Sequence, residues 1–136
     1  MVEWKSYEEW LERAPLSIRK DPLWEFETYR WALFLSDLAW LDSEKLLQDF
    51  RSKAYVWQLL DSAGSVPANI EEGYGRGFGK DYARFLRIAN GSARECRGWY
   101  YRCRHGLEPS VVEHRLSLLD KIIANLTITA NQQRNR

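Results

Sequence analysis

The chain has 136 residues, of which 45% are apolar and 29% are charged, and this size and balance are typical of a single soluble globular domain. The net charge of +1 is unevenly distributed. Residues 1–73 hold 14 Asp/Glu and eight Lys/Arg, whereas residues 74–104 hold two Asp/Glu and eight Lys/Arg. No apolar run approaches the roughly 20 residues of a membrane helix, and residues 1–5 lack the pattern of a signal peptide, so we expect a cytoplasmic protein.

Residues 1–20 are predicted to form a short helical extension in front of the main domain. Ser6 is a favourable N-cap, and Glu9 follows it at the spacing of a capping box. Trp10 supplies a large apolar anchor for this helix. We therefore expect the extension to pack on a larger body formed by residues 21–130.

The main domain shows helical periodicity throughout, without a strand pattern or an internal repeat. The first long helix is predicted over 22–41, and the Asp-Ser pair that follows it is a typical helix start. The second is predicted over 43–72, with a kink around 63–66 because Gly64-Ser65 and Pro67 disturb the helix there, and with Gly73 as its C-terminal cap.

A glycine-rich elbow, residues 73–79, leads into a third helix predicted over 79–104. Gly91 and Gly98 lie among the basic side chains of this helix, which predicts that another group approaches closely there. The residues predicted to share its buried face are Tyr82, Phe85, Ala89, Ser92, Ala93, Cys96, Tyr100 and Cys103.

A fourth helix over 108–130 and a polar, frayed tail over 131–136 complete the chain. Four long helices with short turns predict an all-α protein, an antiparallel up-down four-helix bundle.

The basic face of the third helix is the candidate functional surface. Arginine contacts phosphate bidentately, so this face predicts sequence-tolerant and salt-sensitive binding of nucleic acid. The alternative is a solvated face, or one that pairs with an acidic helix of a neighbouring subunit. The candidate nucleic-acid-binding residues are Arg76, Lys80, Arg84, Arg87, Arg94, Arg97, Arg102 and Arg104.

We expect no enzymatic activity and no metal or cofactor. The elbow fails the spacing of a phosphate-binding loop, since Asp81 stands after Lys80 where Ser or Thr is needed. Cys103, His105 and His114 lack a paired metal-ligand motif. The sequence also offers no nucleophile and base in a recognisable pattern.

Residues 65–95 resemble a bacterial family, the four-helix bundle family of ribosomal-RNA intervening-sequence proteins. The family signature is a helix that ends in S-I-P-x-N-I-A-E-G-x-G-R, followed by K-D-[FY]-x-x-F-L-x-I-A-x-G-S-x-x-E. The matching residues are Ser65, Pro67, Asn69, Ile70, Glu72, Gly73, Gly75, Arg76, Lys80, Asp81, Tyr82, Phe85, Leu86, Ile88, Ala89, Gly91, Ser92 and Glu95.

The polar positions of this motif allow two interpretations, a charged catalytic cluster or a structural network that ties the elbow to the third helix. We favour the structural network. The residues assigned to the structural motif are Pro67, Asn69, Glu72, Gly73, Gly75, Asp81, Phe85, Gly91 and Glu95.

The resemblance implies an up-down bundle that assembles into a ring-shaped homopentamer. Some family members are encoded within inserts in large-subunit ribosomal RNA genes. A related branch serves diversity-generating retroelements as an accessory protein that binds RNA or DNA and a reverse transcriptase through a basic surface. This sequence departs from the family at 58–62, where Q-L-L-D-S replaces Q-L-R-R-A and removes two basic positions.

We therefore expect a non-enzymatic, nucleic-acid-binding homo-oligomer that acts as the accessory protein of a retroelement. The alternative is a structural or protein-interaction homo-oligomer that does not bind nucleic acid.

Overall fold

The structure is a computed structural model that describes residues 4–136, so the first three residues of the predicted extension lie outside it. All regular structure in the described part is helical, which confirms the all-α class. The α-helices are α1 (Tyr7–Arg13), α2 (Leu16–Arg19), α3 (Glu27–Leu46), α4 (Phe50–Lys53), α5 (Val56–Gly75), α6 (Lys80–Arg102) and α7 (Pro109–Arg134). Two 3-10 turns, Pro22–Glu25 and Cys103–Gly106, precede α3 and follow α6.

The four long helices pack around one apolar core. α6 lies along both α5 and α7, and α3 contacts the same two helices. Side-chain hydrogen bonds connect α6 to both adjacent helices. The hydroxyl oxygens of Ser65 in α5 and Ser92 in α6 lie 2.9 Å apart, and the Asn90 amide of α6 donates to the Thr127 hydroxyl of α7 at 3.0 Å. The largest fully buried side chains come from all four helices and include Leu35, Leu46, Leu59, Ile70, Leu86, Tyr100, Leu119 and Ile122.

The N-terminal extension is fastened to α3. Ser6 caps α1 as predicted, because its Oγ accepts a hydrogen bond from the backbone N–H of Glu9 at 3.1 Å. Trp10 is buried, and its ring lies 5.4 Å from that of Phe34. Its indole N–H donates to Asp37 at 2.8 Å, so one side chain supplies both the apolar contact and a directed polar one.

The predicted break after residue 41 is wrong, because α3 continues through Asp42 and Ser43 to Leu46. Both polar side chains are satisfied inside the bundle. Asp42 is bound by Arg115 of α7, and the Ser43 hydroxyl donates to the carbonyl of Trp40 at 2.6 Å. Residues that look like a helix start can therefore remain within the helix when a distant partner meets their hydrogen-bonding needs.

The second bundle helix is also bounded differently from the prediction. The start signal lies at Asp49, whose side chain caps the short α4 by accepting from Ser52 N–H at 2.9 Å. α5 then runs without interruption from Val56 to Gly75, with Pro67 inside it. The kink predicted around 63–66 therefore does not break the helix, and Gly73 lies within its last turn rather than capping it.

The C-terminal helix is longer than predicted. α7 begins at Pro109, which fits a proline at the first helical position, and it ends at Arg134. Residues 131–134 of the predicted frayed tail are therefore helical. None of the helices in the described residues has the length and apolar character needed to cross a bilayer.

Candidate functional site

The two faces of α6 are separated as the sequence predicts. Of the eight side chains assigned to its buried face, seven are buried and Ser92 is half-buried. The cationic side chains lie on the outer side, where all are exposed except the half-buried Arg97. An amphipathic helix of this kind holds its charges in fixed register because its apolar face is anchored in the core.

The elbow neutralises two of the predicted cations. Glu72 accepts from Arg76 at 3.1 Å, and Asp81 accepts from Arg84 at 3.1 Å and lies 3.8 Å from Arg76. Both guanidinium groups also stack on the ring of Phe85, at 4.9 and 4.5 Å. Two carboxylates thus face two guanidinium groups, and this cluster ties α5 to α6 while adding little net positive charge.

The elbow backbone turns at two of its glycines. Gly77 and Gly79 have φ of +109° and +84°, a region that side-chain-bearing residues rarely adopt. The N–H of Gly79 donates to the side chain of Gln133 at 3.0 Å, which anchors the start of α6 to the end of α7. The turn is therefore fixed from both sides, and Lys80 begins α6 immediately after it.

Arg97 is removed from the free basic surface as well. Its guanidinium donates to Asp120 of α7 at 2.8 Å, across the α6–α7 contact. This pair is partly solvated, so its main effect is to cancel a charge rather than to stabilise the bundle strongly.

Five predicted cations have no carboxylate within 4.0 Å among residues 4–136, and three of these form a row along α6: Lys80, Arg87 and Arg94. They follow one another at intervals of seven residues, which is about 10 Å of helix rise. Gly91 lies between the two arginines, and a Cβ placed there would meet no described atom within 4 Å. The backbone between these cations is therefore open to an approaching group.

The C-terminal end of α6 forms a cationic cavity of about 470 Å³. Arg102 and Arg104 line it together with Arg51 of α4, His105 and Tyr55, and Asp49 contributes one carboxylate against these three arginines. Sequence reasoning missed Arg51 and Tyr55, because they come from the acidic first half and only the fold brings them to α6. It considered His105 only as a metal ligand. No local signal in the sequence identifies this convergence.

The remaining motif residues have local roles. Asn69 donates to the carbonyl of Ser65 at 2.9 Å, and Glu95 accepts from the indole N–H of Trp99 at 3.0 Å. Pro67 is buried in α5, and a Cβ added to Gly75 would meet nothing within 4 Å. None of these contacts places a nucleophile beside a base.

The two cysteines are free and buried. Burial raises the pKa of Cys96 to about 12 and that of Cys103 to about 11, which keeps both as thiols at neutral pH. Within residues 4–136 there is no group of three His, Cys, Asp or Glu side chains that could hold a metal ion.

Comparison with known proteins identifies one family. The family model described as 23S rRNA-intervening sequence protein matches residues 25–127, which includes α3 to α6 and most of α7. The match leaves out the extension formed by α1 and α2. No curated protein matches the chain.

Proposed function

Because the chain belongs to the family of 23S rRNA-intervening sequence proteins, and because α6 carries a row of cations without carboxylate partners among residues 4–136, we propose that it binds the phosphate backbone of nucleic acids without catalysing a reaction. The observation that carries this proposal is the row itself, Lys80, Arg87 and Arg94. A guanidinium that is already paired must give up its partner to bind phosphate, whereas these three side chains are available.

The geometry supports a binding mode that follows the backbone. The row runs along one face of α6 towards the cavity formed by Arg51, Arg102 and Arg104. Arg102 and Arg104 stack on Trp99 and Tyr101, at 4.7 and 4.0 Å, and no carboxylate within 4.0 Å neutralises them in the described part of the chain. Contacts of this type recognise phosphate spacing rather than base identity, so we expect little sequence preference.

Charge reversal at two positions of the row tests the proposal. We expect Arg87→Glu/Arg94→Glu to weaken binding of labelled single-stranded RNA and DNA by about tenfold or more, because two phosphate contacts become repulsive. For the wild type, the logarithm of the association constant should fall with the logarithm of salt concentration with a slope of about −2 per subunit if three phosphates are contacted. Fluorescence anisotropy across a salt series measures both quantities.

Arg19→Glu/Lys20→Glu is the matched control, since it makes the same change in net charge on two exposed residues that lie away from α6. We expect this variant to bind as the wild type does. Equal losses in the two double variants would assign the binding to net charge alone, and unchanged retention of RNA and DNA by the α6 variant would refute the proposal.

A second function, self-association through exposed aromatic side chains, is favoured by a separate observation. Trp57 of α5 and Phe50 of α4 are 73% and 91% exposed, and Trp40 of α3 is also exposed. Exposed side chains of this size are typical of interaction surfaces. We propose that they contribute to a homo-oligomer, and the pentameric ring implied by the family resemblance belongs to this proposal.

Light scattering of the purified protein tests the self-association. A pentamer of the 16.1 kDa chain has a mass of about 80 kDa. We expect Trp57→Gln to lower the measured mass, because it removes a large apolar contact from an interface. A wild type that remains monomeric at micromolar concentration would contradict the proposal. A loss of mass in Arg87→Glu would instead make the basic face itself the interface between subunits.

The role as a retroelement accessory protein also remains a proposal, and its partner would be a reverse transcriptase. It rests on the family resemblance and on the cationic face of α6. Co-purification of this chain with a reverse transcriptase encoded beside its gene would support it, whereas a gene located within a ribosomal RNA insert would favour the other branch of the family.

A further inference from the structure

A second cavity is lined in large part by the N-terminal extension and shares no lining residue with α6. Its volume is about 520 Å³, which is within the range of small-molecule sites. Three tryptophans, Trp4, Trp10 and Trp24, line it together with Tyr29. The tryptophans precede residue 25, so this cavity depends on a part of the chain that the family match does not include.

Two carboxylates line the same cavity, and each is held by one of its aromatic residues. Asp37 Oδ2 accepts from the indole N–H of Trp10 at 2.8 Å, and Glu71 Oε2 accepts from the hydroxyl of Tyr29 at 2.6 Å. Burial, and then the bond to Glu71, raises the pKa of Tyr29 above its usual value, so the phenol remains the donor. The second oxygen of each carboxylate has no hydrogen-bond partner among residues 4–136.

Two cations near this cavity, Arg13 and Arg30, are already engaged. Arg13 lines it, but its guanidinium pairs with Glu9 at 2.7 Å. Arg30 lies 5.9 Å from the ring of Trp24 and within 3.7 Å of Glu27. Two carboxylates therefore contribute negative charge to an aromatic cavity whose only lining cation among residues 4–136, Arg13, is already paired.

We propose that this cavity binds a small organic amine, an ammonium group carried on an apolar body. The faces of indole and phenol rings attract cations, and the free carboxylate oxygens can accept hydrogen bonds from an ammonium group. An anionic ligand would be repelled by both carboxylates, and a neutral ligand would gain only the burial of its apolar surface. The site is separate from the cationic face of α6 and does not depend on nucleic-acid binding.

Three matched probes test the proposal on the full-length protein: 2-phenylethylamine, which is a cation at neutral pH, 2-phenylethanol, which is neutral, and phenylacetate, which is an anion. We expect calorimetry to show that the amine binds about tenfold tighter than the alcohol, with phenylacetate weaker still. Indole N–H resonances in a titration followed by NMR should show that Trp10 and Trp24 respond. Equal affinity for the amine and the alcohol would overturn the proposal without the use of any variant.

The double variant Asp37→Asn/Glu71→Gln keeps hydrogen-bond acceptors for Trp10 and Tyr29 while it removes both charges. We expect its affinity for the amine to fall towards that for the alcohol, because only the attraction of the aromatic rings remains, while its affinity for the alcohol is unchanged. Asp61→Asn, an exposed acidic residue of α5, is the control and should bind the amine as the wild type does. Retained amine binding in the double variant, or an equal loss in the control, would refute the assignment.

Discussion

Replacing Asp42 with alanine is expected to lower the free energy of unfolding by about 3–5 kcal/mol. Asp42 accepts two hydrogen bonds from Arg115, at 2.8 and 2.9 Å, and a third from the hydroxyl of Tyr100 at 2.7 Å. The side chains of Asp42 and Arg115 are only 8% and 13% exposed, and Tyr100 is fully buried. The substitution would leave a buried guanidinium and a buried phenol without their acceptor.

The protonation behaviour of the partners agrees with this interpretation. Burial by itself lowers the pKa of Arg115, but the hydrogen bonds and the charge of Asp42 outweigh that effect and raise it. Burial, followed by the charge of Asp42, raises the pKa of Tyr100 well above its usual value. Both donors therefore stay protonated, and the carboxylate is the group on which their satisfaction depends.

Urea unfolding followed by circular dichroism measures the loss, and the chain supplies a matched control. Asp120 accepts from Arg97 at 2.8 Å, the same distance as the shorter contact of the buried pair, but these side chains are 61% and 37% exposed. We expect Asp120→Ala to cost less than about 1 kcal/mol. Equal losses in the two variants would show that burial does not set the strength of the Asp42 pair.

A double variant separates the destabilisation caused by an unpaired Arg115 guanidinium from the stabilisation that the intact ion pair provides. Asp42→Ala/Arg115→Met removes both charges, and we expect it to recover a large part of the stability lost by Asp42→Ala alone. If the double variant is as unstable as the single one, the loss arises from packing around Asp42 rather than from the unpaired guanidinium.

The faces of α6 could be predicted from the sequence because they depend on local periodicity. Every third or fourth residue from Tyr82 to Cys103 is apolar, and the core buries them. The end of α3 could not be predicted in the same way. Asp42 has the identity of a helix cap, but its acceptors are satisfied within the helix by Tyr100 and Arg115, which follow 58 and 73 residues later.

The basic character of the candidate site could be predicted from the sequence, but which of its cations are paired with carboxylates could not. The number of arginines predicts a basic helix, whereas the structure shows that some of them are paired with carboxylates and others are not. Asp81 is on α6 itself, yet Asp120 is on α7 and becomes a partner of Arg97 only through packing. Arg51 likewise joins the basic end of α6 from a segment whose overall composition is acidic.

Gly73→Ala is the second substitution with a large expected effect, a loss of about 2–3 kcal/mol of unfolding free energy. A Cβ at this position would lie 2.5 Å from the Cβ of Phe85 and 3.0 Å from the ring of Tyr82. Since the Cβ of Phe85 is fixed to the α6 backbone, the two helices must separate to admit the added methyl group. Gly73 is also the first residue of the elbow, so a shift there would move Lys80 as well.

Gly64→Ala is the matched control for Gly73→Ala, because it makes the same change in the same helix where a Cβ would meet nothing within 4 Å. Alanine favours a helix over glycine by about 1 kcal/mol, so the control should be stabilised by up to that amount. We therefore expect Gly73→Ala to lower the melting temperature and Gly64→Ala to raise it. Thermal unfolding of both variants distinguishes the steric effect of a close helix contact from the effect of glycine on backbone flexibility. If Gly73→Ala is also stabilised, the contact between α5 and α6 is looser than 2.5 Å implies, and Gly73 serves the elbow through its backbone instead.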